Sequence, residues 1–404
     1  MYKRQKVLRA YSYYELYTKF GDIPYTTKVL SIKESMSIAR TAKATVIANV
    51  LADLDEVING NYLPTSYDAD NKGRITRWAA MAIKAKIYLF EGNWTQVKNI
   101  TSTIMTEGGF KLFGSYAGLF EIANEYNSEV ILDAQYRPTS REHQMMYVFL
   151  PPTLGGYSQL SPLQELVDSY IMLDGKTIKE TGTSFDESHP YANRDPRLKA
   201  TVMYTGNSYT LADGTEVVIN CEKGEGKDGY GVGSDCSATG YYIKKYWDNT
   251  YRATLYSGLN PILIRYADIL LMNAEALAEL GELDKTAWDA TIKPIRDRAG
   301  FTLASALEFP EGASKDKLIE IVRNERRSEL ALEGHRHKDI IRWRIADNVL
   351  NGWCHGLKTN DVVGTDDGYV RVENRTFNAN RHYLWPIPQA ERDLNGNLEQ
   401  NPNW

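Results

Sequence analysis

Residues 262–281 read ILIRYADILLMNAEALAELG, an apolar run with small residues in its second half that stops at Gly281. Alanines at 274, 276 and 278 let a second helix lie close, and a glycine just past the last patterned residue is a common helix stop. The same spacing occurs at Ala85 to Gly92 (AKIYLFEG), and each glycine is followed by a short polar step and a further amphipathic stretch. Two such pairs read as helical hairpins, the signature of a tetratricopeptide-type repeat.

Working outward, residues 1–107 carry helical spacing throughout. The pattern begins at once with Val7, Leu8, Ala10, Tyr11, Tyr14, Leu16 and Tyr17, so the chain reads as starting inside a helix, with no export leader ahead of it. Further helices are expected over Ser35 to Asn59, Arg74 to Glu91 and Trp94 to Thr106. The second helical block runs from Ile262 to about Leu350. Between the blocks, residues 108–261 hold short strand-like runs, Glu129 to Tyr136, Lys199 to Tyr204 and Tyr241 to Trp247, among Gly, Pro, Asn and Asp clusters. The tail beyond Asn351 is read as irregular. The sequence therefore predicts a mainly α protein in three parts: a helical part over 1–107, a loop and short-strand section over 108–261 that faces ligand, and a helical part with an extended tail over 262–404.

Composition narrows the function. The 404 residues carry a formal charge of −5, too acidic for a nonspecific nucleic-acid binder, which needs a dense basic face. No stretch approaches the ~20 apolar residues that a membrane-spanning helix needs. Tyrosine is abundant, 27 against 10 Phe and 8 Trp, which suits wet surfaces that stack on ligands.

Catalytic and cofactor motifs do not assemble. Gly224, Gly226 and Gly229 form a literal G-x-G-x-x-G, but residues 230–236 after it have no helical pattern, so a flexible loop is expected there. His335 and His337 lie two apart, whereas metal pairs on helices use i and i+4. Asp366 and Asp367 read as a solvated turn. The stretch from Arg323 to Arg336 interleaves its signs, which favours an ion-pair network in which Arg326, Glu329, Glu333 and Arg336 serve one another at helical spacing. No cofactor and no metal are expected. Cys221 and Cys236 flank a glycine-rich loop and form a possible disulfide, worth ~3 kcal/mol by loop closure, with buried free thiols as the alternative.

Three blocks resemble the SusD/RagB family of outer-membrane nutrient-binding lipoproteins. They are Leu8-Arg9-Ala10-Tyr11 running to Phe20-Gly21-Asp22-Ile23-Pro24; residues 263–276 continuing into Ile295-Arg296-Asp297-Arg298-Ala299-Gly300; and Asn324 to Arg336 with Asp339-Ile340-Ile341-Arg342-Trp343, closed by Tyr383 to Pro388 and Gln400-Asn401-Pro402. The resemblance implies a tetratricopeptide-like frame with the irregular section packed on it, all one composite domain. It also implies surface exposure at the cell outer membrane, capture of a glycan without catalysis, and delivery to a SusC-like TonB-dependent transporter. Membrane attachment would come only through a lipid anchor missing from this chain. A peptide cargo and, more distantly, a glycoside hydrolase are the alternatives.

The family blocks are framework, so ligand contacts are chosen on chemistry: aromatic faces for sugar C–H groups, and amides and carboxylates for hydroxyls. Tyr157, Tyr209, Tyr230, Trp247, Asp248 and Asn249, all in turn-rich segments, are the candidates. Trp78, Trp343 and Trp385 are expected in the core.

Overall fold

A computed structural model describes residues 2–359 and 366–404. Its contacts divide the chain into two compact units. One gathers the chain up to Gly108 with Arg336–Asn351 and Thr376–Trp404; the other holds Gly109–His335 and Gly352–Arg375.

In the first unit the leading helix, Tyr2–Phe20, buries Val7, Ala10, Tyr14 and Tyr17, a spacing of three and four that keeps one face inward. Helix Lys43–Asn59 does the same with Val46, Val50, Leu54 and Val57. It is shorter than the pattern from Ser35 suggested: a separate turn of helix, Ile32–Ser35, started by a capping box between Ser31 and Glu34, ends at Met36, and the long helix begins only at Lys43. The first hairpin pairs Arg77–Phe90 with Trp94–Glu107. The Thr76 hydroxyl caps one helix by accepting from the Ala79 N–H, and the Asn93 side chain caps the other by accepting from Gln96. Ala79, Ala80, Ala82 and Ala85 are fully buried, so neighbouring helices approach closely at that face. Trp78 and Trp343 are buried as expected, but Trp385 is 43% exposed: the Phe20 and His337 rings stand nearly perpendicular to it at 6.0 Å, and the Lys19 ammonium lies 5.7 Å from its ring.

The second hairpin belongs to the other unit. Helices Tyr266–Leu280 and Lys285–Ala299 are joined through Gly281, whose φ of +73° suits glycine, and Asp284 caps the second helix on the Ala287 N–H. Helix Lys315–Glu329 packs against the first of them. Residues 262–265 are not the start of a helix. They form strand β6 (Ile262–Arg265), antiparallel to β1 (Val130–Asp133). Three further two-stranded sheets pair β2 (Val202–Met203) with β5 (Tyr242–Ile243), β3 (Ser208–Thr210) with β4 (Glu216–Val218), and β7 (Gly352–Lys358) with β8 (Tyr369–Arg375). The last pair corrects the reading of an irregular tail. The run from Lys199 is also corrected: Pro196–Thr201 is a helix, started by Pro196 and capped by Asp195, and only residues 202–203 extend as strand. As read from the sequence, the segment around Gly224 to Gly229 is loop and opens no helix.

The charged stretch before Arg336 is an ion-pair network, but its partners come from elsewhere in the chain. The Glu329 carboxylate takes Arg197 at 2.9 Å and Arg265 at 2.6 Å, and also pairs with Arg298. Glu333 takes Arg265 and Lys245, each at 2.7 Å. Arg326 pairs with Asp268 at 2.6 Å, and Glu325 with Arg197 and Arg296, each at 2.7 Å. Arg336 instead lies over the Trp343 ring. Helical spacing named these residues as mutually facing, yet a buried carboxylate is satisfied by whichever cations the tertiary fold delivers.

Candidate functional site

The six sequence candidates separate by burial. Tyr209 is wholly buried and donates its hydroxyl to the Ile243 carbonyl at 3.1 Å. Asp248, 4% exposed, accepts from the backbone N–H of Ile122 at 2.7 Å and of Thr250 at 2.8 Å. Trp247 lies against Tyr209, with ring centroids 5.0 Å apart, and its indole N–H donates to the Thr210 carbonyl. The Asn249 amide donates to the same carbonyl at 2.8 Å. Tyr209, Trp247 and Asn249 thus spend their polar groups on tying down the β3–β4 hairpin, while Asp248 spends its carboxylate on the backbone at Ile122 and Thr250. Tyr230 is half-buried against the core of the same unit. Cys221 and Cys236 are both free thiols here: burial pushes the Cys221 thiol up to about 12, and the Cys236 thiol rests on the Lys227 carbonyl.

Tyr157 is different, with 39% of its surface exposed. It is delivered by the turn before it. Gly155 has φ +83°, and a Cβ on Gly156 would sit 2.1 Å from the Leu150 carbonyl oxygen, so the Gly-Gly step lets the chain fold back tightly. The Tyr157 N–H then donates to the Tyr147 carbonyl at 2.9 Å, and the two rings lie 4.4 Å apart, tilted by 33°. The side-chain hydrogen bond between them pushes the Tyr147 hydroxyl up to about 12, and Tyr256, 42% exposed, adds to that rise from within electrostatic reach. Leu160 and Val232 are also exposed in this unit, at 57% and 44%.

Tyr147 and Tyr256 escaped the sequence reading. Tyr147 sits in the apolar run Met-Met-Tyr-Val-Phe of a one-turn helix, Met145–Phe149, where it passes for core. Tyr256 carries no local signal beyond its place in a loop. The cluster offers aromatic faces and hydroxyl edges held by backbone geometry, which suits stacking on the C–H face of a sugar and hydrogen bonding at its rim.

The first unit contains a cavity of about 680 Å³ whose wall includes Tyr17, Arg40, Lys43, Arg344 and Tyr383. Its polar wall is already committed. Arg40 donates to the carbonyls of Asp22, Glu399 and Phe20 at 2.8–3.1 Å, Lys43 pairs with Glu91 at 2.9 Å, and the Arg344 guanidinium stacks 3.7 Å over Tyr383. Among the described residues no group of three or more His, Cys, Asp or Glu side chains is placed to hold a metal, and no helix is long and apolar enough to cross a membrane.

Comparison with known proteins agrees with this architecture. Residues 119–404 match the model of the SusD family, and residues 3–89 match one described as starch-binding and associating with the outer membrane. A SusD-like protein, P25, of Formosa agariphila is 28% identical over 85% of this chain and 64% of its own length, so the chain spans less than two thirds of that relative. The solved structure of a SusD-like carbohydrate-binding protein from Bacteroides fragilis superposes with a TM-score of 0.87 at 29% identity, covering 98% of this chain and 79% of that one. A second SusD-like structure from the same organism gives 0.83 at 27% identity, covering 100% and 79%.

Proposed function

Because the chain belongs to the SusD family, we propose that it binds an oligosaccharide or polysaccharide at the cell surface and delivers it, unchanged, to a SusC-like TonB-dependent transporter in the outer membrane. The observation that carries this reading is the exposed Tyr157 ring, set 4.4 Å from the half-buried Tyr147 ring and held by a turn that only glycine fits. Stacked rings with fixed backbone lose little entropy when a sugar arrives, so a modest surface gives useful affinity. Tyr209 and Asn249 act as supports that tie the β3–β4 hairpin to its surroundings, and Asp248 holds the backbone at Ile122 and Thr250. The carbohydrate-binding relative of similar fold supports the cargo class.

The test is a glycan array followed by titration calorimetry on the best ligand, with a peptide panel alongside. Saturable glycan binding without release of reducing ends is expected, and Tyr157→Ala weakens it about ten-fold, ~1.4 kcal/mol for one lost stacking contact. Silence across the glycan array, binding confined to peptides, or cleavage of the bound saccharide overturns the proposal.

A further inference from the structure

The β7–β8 hairpin is fastened through an unusual side-chain contact. The His355 imidazole lies between two carboxylates: Nδ1 is 2.7 Å from Glu165 Oε1 and Nε2 is 3.2 Å from Asp366 Oδ2. A neutral imidazole has one N–H and one lone pair, so it can donate to only one of them, and the other contact would set lone pair against lone pair. Both contacts are satisfied together only by the doubly protonated ring. Glu165 belongs to the short helix Gln164–Val167, His355 to β7, and Asp366 to the approach to β8, so one proton joins three segments.

We propose that His355 is a proton-dependent fastener, holding the Asp366 end of the β7–β8 hairpin down when charged and releasing it when neutral. The surroundings decide which contact opens. Glu165 also accepts from the His355 backbone N–H at 3.1 Å, and its carbonyl takes Arg327 from the Lys315–Glu329 helix. Asp366 has a second partner in Arg371, at 2.5 and 2.8 Å. The remaining proton therefore stays on Nδ1 toward Glu165, and the longer Asp366 contact is lost. The other groups near the ring are Tyr369 of β8, at a centroid distance of 6.2 Å, with Lys358 of β7 over it and Asp168 acting on it from the helix side. Glu373 and Arg375 lie further along β8. The two carboxylates outweigh the partial burial of the ring, and His355 titrates above its ordinary 6.5. A raised histidine gives contacts that are complete below the unfolded value and lost as pH climbs through the folded one.

The experiment uses the full chain, selectively ¹⁵N-labelled at histidine, with amide hydrogen exchange measured from pH 5.5 to 8.5 and corrected for intrinsic rates. The His355 midpoint is expected above 6.5. Exchange in β7 and β8 should quicken about ten-fold across that midpoint, the scale of one charge-assisted hydrogen bond, while helix Tyr266–Leu280 stays constant. His355→Gln should abolish the pH step, and Asp366→Asn should lower the midpoint; the second variant carries the test if the first does not fold. A midpoint at or below 6.5, or hairpin protection that ignores it, overturns the proposal.

Discussion

Arg265 is the residue whose loss the buried network can least absorb. Its guanidinium has five N–H donors, and all five are used: to Glu129 at 2.7 Å, to the Glu329 carboxylate at 2.6 Å and its carbonyl at 2.7 Å, and twice to Glu333 at 2.7 and 2.8 Å. The side chain is 1% exposed, so water cannot replace any of these contacts. Arg265→Met keeps the volume but leaves three buried carboxylates short of one cation. Breaking a buried pair from one side costs about 3–5 kcal/mol. Arg298 and Arg197 remain for Glu329, Arg298 for Glu129 and Lys245 for Glu333, so the lower half of that range is expected. Arg265→Lys keeps the charge but offers three donors for five acceptors and should fall between, at about 2 kcal/mol. Urea unfolding, with tyrosine and tryptophan fluorescence as the readout, gives both numbers from the shift in midpoint at unchanged slope. An Arg265→Met variant within about 1 kcal/mol of the parent would refute the claim that these carboxylates depend on it.

Acid should expose the same dependence. Burial raises the Glu333 carboxyl, but Arg265 and Lys245 together outweigh it and hold the group near 2, with Glu329 held lower still. Depressed carboxylates contribute stability that is present above their unfolded value of about 4.5 and lost as pH falls toward the folded one, so circular dichroism should show destabilisation beginning below about pH 4.5. Gly156→Ala should weaken glycan binding about as much as Tyr157→Ala does, because its Cβ meets the Leu150 carbonyl and shifts the turn, at a stability cost of about 1–3 kcal/mol; unchanged binding would show that the turn does not set the ring.

The helical frame was legible because its signals are local. Ala-rich faces, a glycine at or just past each stop, and Thr76, Asn93 and Asp284 capping three of the four helices mark the two hairpins to within a few residues. The strand at 262–265 was hidden for the opposite reason: Ile-Leu-Ile is compatible with either state, and only pairing with Val130–Asp133, more than a hundred residues earlier, selects the extended form. The β7–β8 hairpin was likewise decided by a partner strand. Of the candidate site, the burial of its residues was half legible. Gly-Gly-Tyr announced a presented ring at Tyr157, but nothing near Tyr209 or Asp248 says that their polar atoms are already bound to Ile243, Ile122 and Thr250. The ion network was recognised as structural from its alternating signs, while its partners, Arg197, Arg265 and Arg298, are a property of the fold alone. Asp366 shows the same limit: a turn by its sequence, it is tied to His355 and Arg371 by tertiary placement.

A loop-rich unit holds so many charges in its interior because of what its backbone lacks. Among the described residues its strands run two to seven residues and pair only in twos, so no continuous sheet there fixes the loops between them. Apolar contacts alone are non-directional and would leave those loops several ways to pack. The network supplies direction. Glu129 stands at the entry to β1, Arg265 at the end of β6, Arg197 on the 196–201 helix and Lys245 just after β5; the three cations meet carboxylates presented by the 315–329 helix or the segment just beyond it, and Glu129 joins them through Arg265. Buried ion pairs of this kind add little net stability over a well-packed apolar core. Their geometry admits few arrangements, however, and the segments they fasten are the ones around which the aromatic loops are built. On this account the interior is charged in order to define position: a binding surface made of loops needs its supports located to a fraction of an ångström, and the helices provide the fixed carboxylates from which that position is measured.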